Sequence, residues 1–61
     1  MTRTAKPPRE RAARALCRLH GHRPDTRFDG KAMWESYLDE VDTVIASAMG
    51  EETLRNMKDA E

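Results

Sequence analysis

Three groups of residues carry side chains whose types and spacing could do chemistry. Cys17, His20 and His22 stand in a C-x2-H-x-H spacing. Thiolate and imidazole suit zinc, but a structural site needs four ligands and a catalytic site three plus water. Asp25 is the nearest candidate for a fourth, and there is no second cysteine. The ligand count therefore argues against a metal. It favours Cys17 and His20 on the buried edge of a helix, with His22 in a loop. The second group is acidic: Glu35, Asp39 and Asp42, with Glu51 and Glu52 beyond. Paired carboxylates do acid–base work only where a pocket shifts their pKa, and nothing in the chain points to such a pocket. No catalytic residue, no metal and no cofactor are expected, and the chain reads as a non-enzyme. The third group is Arg11, Arg14 and Arg18, which could grip phosphates in a weak, salt-sensitive way. No asparagine or glutamine accompanies them to read base edges. They read equally as a solvated helix face, with Glu10 and Arg14 forming an i, i+4 pair.

The elements that must position these groups follow from periodicity. Residues 1–7 read as a flexible basic arm, and residues 8–59 as one small helical domain. Pro7-Pro8 suits a first helical turn, where the missing N–H has no intrahelical use. The run to His20 is rich in Ala, Arg and Leu, all good helix formers, and Gly21 supplies a left-handed stop. On a helical wheel Ala12, Ala13, Leu16, Cys17, Leu19 and His20 share an inner side, with Arg11, Arg14 and Arg18 outside. Residues 21–30 read as a connection with a Pro24-Asp25 turn. Asp29 is placed as the N-cap of a second helix, with Phe28 and Met33 as its hydrophobic staple.

That second helix is expected from Gly30 or Lys31 to Met49. Trp34, Tyr37, Leu38, Val41, Val44, Ile45, Ala48 and Met49 follow the i, i+3, i+4, i+7 pattern of a buried stripe. Glu35, Asp39, Glu40, Asp42, Thr43 and Ser47 fill an anionic outer side. Gly50 breaks the pattern, because an unbroken helix would put Leu54 and Met57 on the polar face. A short third helix from Glu51 to Lys58 resolves this, with acids at its start and a lysine at its end, as the helix dipole favours. The fold class is all-α: an antiparallel two-helix hairpin closed by a short C-terminal helix. Its apolar faces should meet at Leu16, Leu19, Trp34, Leu38, Val41 and Ile45.

Size and charge limit what such a fold can do. The chain has 61 residues, with 36% charged, 38% hydrophobic and 5% aromatic. Below about 70–80 residues one core rarely supplies more than ~3–5 kcal/mol. The hairpin is therefore expected to complete a four-helix core as a homodimer, or to be only marginally stable until it binds. No run approaches the roughly 20 apolar residues of a membrane span. The lone Cys17 and the absence of a secretory h-region point to the cytoplasm. The formal net charge is zero, but it is segregated. Residues 1–31 hold nine cations against three acids, and residues 32–61 hold two against eight. Such asymmetry suggests pairing between the halves, between copies, or with a charged partner.

Ala15-Leu16-Cys17, then Gly21-His22 with Pro24-Asp25, then Asp29-Gly30-Lys31 with Met33-Trp34 and Tyr37-Leu38, resemble a pattern in short helical proteins of bacteriophages and proteobacterial prophages. The resemblance covers about residues 10–49. It implies a small accessory protein without catalytic residues that binds and blocks a host protein, host defence machinery included. The residues expected to make the contact are Arg11, Arg14, Arg18, Glu35, Tyr37, Asp39 and Asp42. A second reading is a nucleic-acid-associated factor using the basic arm and the first helix. A third is a purely structural homodimer. Val41→Asp should unfold the chain, and Arg14→Glu should leave its helix content unchanged.

Overall fold

The structure is a computed structural model that describes residues 6–61. Most of the basic arm expected over residues 1–7 lies outside the described residues. Pro7 is extended and leads directly into α1, Pro8–Leu19. Glu10 stands in the first turn and Arg18 in the last, as the dipole favours. The helix ends in a Schellman arrangement. Gly21 takes a positive φ of 85°, its N–H donates to the Arg18 carbonyl, and the His22 N–H reaches back to Cys17. This pairs carbonyls that the helix end would otherwise orphan.

The connection holds an element that helical periodicity does not register. Two-residue strands β1 (Arg27–Phe28) and β2 (Lys31–Ala32) pair antiparallel, Arg27 opposite Ala32 and Phe28 opposite Lys31. Asp29 and Gly30, at φ 54° and 81°, form the turn between them. Two successive positive φ values in a two-residue loop define the I′ hairpin, for which Asp-Gly is a preferred sequence. Asp29 therefore turns a hairpin and caps no helix. Phe28 pairs across the strands with Lys31 and is mostly exposed, so it does not staple Met33. The fold is mostly helical, as expected, with this small sheet added.

The second helical segment starts later than its periodicity implies. Met33–Tyr37 is a 3-10 helix, and α2 runs from Leu38 to Met49. Ala32 is extended, and its N–H donates to the Glu35 carboxylate at 3.3 Å, one half of a capping box. Tyr37 lies at φ −96°, ψ 0°, in the sparsely populated bridge region. The tight turn ends there and the α-helix begins. Backbone bonds from Met33 to Thr26 and from Trp34 to Pro24 fasten this turn to the loop before it. Gly50, at φ 100°, separates α2 from α3 (Glu51–Asp59), close to the expected break and third helix.

The core is small and sits where α1 meets the 3-10 turn and the start of α2. Ala13 and Cys17 are fully buried, Val41 and Ala32 nearly so, and Pro24 joins them. Leu16, Trp34, Leu38, Ile45, Leu54 and Met57 are half-buried. Two expectations about which side faces inward are corrected. On α1, Ala12 and Leu19 face solvent, with Leu19 79% exposed, while Arg9 and Arg14 turn inward. On α2, Val44 and Met49 are exposed, and the inner stripe is Leu38, Val41, Asp42 and Ile45. The physical reason is the same in both helices. Internal ion pairs neutralise Arg9, Arg14 and Asp42, so the carboxylate can turn inward and the aliphatic stems of the two arginines can lie along apolar surface. A wheel that ranks residues by charge alone puts all three outside. The described helices include none long and apolar enough to cross a membrane.

Candidate interaction surface

The charged residues divide by what holds them. Arg9, on the first turn of α1, meets Asp42 of α2 side by side. Its Nε donates to Oδ1 at 2.7 Å and a terminal nitrogen to Oδ2 at 2.9 Å, and the other terminal nitrogen reaches Glu61 at 2.7 Å. The Arg9 side chain is 12% exposed. Lys58 of α3 adds a longer contact to Asp42 at 3.8 Å. One carboxylate thus ties α1, α2 and α3 together. The Arg9 hydrogen bond holds the Asp42 carboxyl below the usual range, against the opposing pull of burial. Arg9 is raised in turn, chiefly through the same bond.

Arg14 forms a second clasp. Its Nε donates to Glu10 at 2.7 Å, the expected i, i+4 pair, and a terminal nitrogen donates to Asp25 at 2.9 Å. Its guanidinium carbon stands 5.4 Å from the centre of the Trp34 ring, within cation–π range. Arg14 therefore joins helix, loop and 3-10 turn. It does not project from a solvated face. Tyr37 is half-buried and stacked on His20, the ring centres 5.3 Å apart and 25° from parallel. Desolvation raises its phenol pKa, with Cys17 and Glu40 adding smaller effects. The Cys17 thiol is buried and donates to the His22 carbonyl at 3.7 Å. Among the described residues, no three His, Cys, Asp or Glu side chains converge as metal ligands.

Of the seven residues expected to contact a partner, four are thus engaged internally: Arg14, Glu35, Tyr37 and Asp42. They belong to the clasps, the turn and the stack. Arg11, Arg18 and Asp39 are exposed and make no side-chain ion pair among the described residues. Asp42 also corrects the expectation that the acids of the second helix all face away from the first.

The structure adds surface residues that periodicity, or for Phe28 the expected staple, assigns to packing. Leu19, Phe28, Val44 and Met49 are each more than half exposed. Phe28 stands on the hairpin beside Lys31, and Arg27 donates across the turn to the Gly30 carbonyl at 2.8 Å. The Asp29-Gly30 dipeptide signals this hairpin in the sequence. No local signal marks Arg9, whose partner Asp42 lies 33 residues away. No protein-family model matches the chain, and no curated protein or solved structure matches it.

Proposed function

We propose that the chain is a noncatalytic accessory protein that acts by occupying a surface of a protein partner. The observation that carries this reading is the placement of its large apolar side chains. Leu19, Phe28, Val44 and Met49 stand mostly in solvent, close in sequence to charges that internal ion pairs leave free. Fully burying a side chain of this size is worth ~1.5–3 kcal/mol. Large apolar groups beside uncommitted charges suit a protein interface, with an apolar centre and a polar rim. Arg11, Arg18 and Asp39 supply rim charges. Arg14, Glu35, Tyr37 and Asp42 support the surface from within the fold. The resemblance to phage and prophage proteins favours a host protein as that partner, a component of host defence included, and the lone cysteine Cys17 suits a reducing compartment such as the cytoplasm.

The test is affinity capture from the cells that naturally carry the chain, with wild type run beside Leu19→Ser and Phe28→Ser. The reading expects a discrete protein that wild type retains and at least one variant loses, with both variants still helical by circular dichroism. Identical sets on all three baits would contradict it.

A second reading is favoured by one feature. Lys31 stands opposite the exposed Phe28 across the hairpin and Arg27 precedes it in the chain, and cations beside an exposed ring can hold phosphate and stack on a base. Titration of a labelled single strand and a labelled duplex decides it. Binding that falls steeply with salt supports nucleic acid, and no binding at low salt removes it.

A further inference from the structure

We infer that the outer ridge of α1 docks on the outer ridge of α2 of a second copy of this chain. The inference rests on reading the chain as a protein-binding module and names one of its partners. Along α1, Arg11, Ala15 and Leu19 recur every four residues and are all exposed. Along α2, Glu40, Val44 and Ala48 do the same. Residues four apart form the ridges by which helices pack into one another's grooves.

With each ridge seated in the groove beside the other and the two running in the same direction, the residues that come side by side match at every step. Arg11 meets Glu40, so opposite charges face each other. Ala15 meets Val44, and Leu19 meets Ala48, so each branched aliphatic side chain finds a small residue and the backbones can approach. Leu19 and Val44 are 79% and 63% exposed in the single chain. A shallow depression bounded by Asp39, Glu40, Thr43 and Val44 lies at the acidic end of the α2 ridge. It offers two carboxylates to an incoming guanidinium, an arrangement suited to arginine's planar fork of donors.

Neither Arg11 nor Glu40 has an ion-pair partner among the described residues, so docking breaks no existing pair. The contact also answers the thinness of the core, in which Cys17 is the largest fully buried side chain. Because each copy carries both ridges, two copies can make the contact twice where the geometry closes. The hairpin with Phe28 takes no part and stays open to a different protein.

The experiment is sedimentation equilibrium of the full chain over a concentration series at low and moderate salt. Wild type, Arg11→Glu, Glu40→Arg and the double reversal are compared. Circular dichroism confirms that each is folded, as expected for substitutions at exposed positions. Self-association is expected for wild type and should weaken with salt. Each single reversal is expected to weaken it about tenfold or more, because like charges then face each other. The double reversal should restore it. A wild-type chain that is monomeric throughout overturns the inference, as does a double reversal no better than the singles. If the monomeric chain still captures a protein through Leu19 or Phe28, only self-docking fails. If capture fails as well, the reading beneath it fails too.

Discussion

Replacing Arg9 by methionine tests the clasp that joins the three helices. The substitution keeps much of the aliphatic stem and removes the guanidinium. Three hydrogen bonds are lost, at 2.7 and 2.9 Å to Asp42 and 2.7 Å to Glu61. Asp42, with a side chain 19% exposed, is left with Lys58 at 3.8 Å. Bonds to charged groups contribute ~1.5–3 kcal/mol each where well made. Loss of one partner from a fully buried pair costs about 3–5 kcal/mol. Partial exposure and salt screening reduce both, and a loss of about 2 kcal/mol is expected. A core this small supplies only ~3–5 kcal/mol in total, so the effect is large. Urea unfolding, followed by circular dichroism and Trp34 fluorescence at one fixed protein concentration, reads it directly. With a slope of about 1 kcal/mol per molar urea, the midpoint should fall by about 2 M. The double variant Arg9→Met/Asp42→Leu should lose less than the two single variants together, since neither charge is then stranded. An Arg9→Met midpoint equal to that of wild type would refute the argument. Acid gives an independent reading. Arg9 depresses the folded Asp42 pKa, so this contribution is complete above the unfolded value of about 3.9. It is lost as pH falls through the lower folded value. Asp42→Asn should therefore flatten the acid limb of the stability curve.

Other substitutions test other joints. Val41→Asp puts a carboxylate at a position only 5% exposed, at a cost of several kcal/mol, and far-ultraviolet circular dichroism should show an unfolded chain. Arg14→Glu places a third carboxylate beside Glu10 and Asp25 and removes the cation over Trp34. It should lower the melting temperature, in contrast to the expectation from the helical wheel, while Arg11→Glu should leave it nearly unchanged at a concentration where the chain is monomeric. Gly30→Val forces a β-branched residue to φ 81° at a cost of about 1–2 kcal/mol, and the Phe28 and Lys31 amides should exchange faster with solvent.

How much of this was legible in the sequence depends on whether the deciding interaction is local. Gly21 and Gly50 mark helix ends through backbone freedom alone, so the limits of α1 and α3 follow closely from their positions. The Glu10–Arg14 pair is four residues apart and is equally readable. Asp29-Gly30 carries a hairpin signal as strong as any in the chain. Read against a long amphipathic pattern from Met33 onward, it passes for a helix cap. The inward turn of Arg9 and Asp42 depends on two residues 33 apart in sequence coming into contact, and no periodicity within either helix encodes it. The inner stripe of α2 includes Asp42, and Val44 stands in solvent. The candidate surface was therefore only half visible. Arg11, Arg18 and Asp39 read as exposed charges, while Leu19, Phe28 and Val44 read as packed.

The most direct test of the interaction reading places a photoreactive phenylalanine analogue at position 28, on the exposed face of the hairpin, and irradiates the cells that carry the chain. An interface at this position yields one discrete adduct with a protein, resistant to nuclease and absent without irradiation. An adduct removed by nuclease, or none at all from a folded chain, would contradict it.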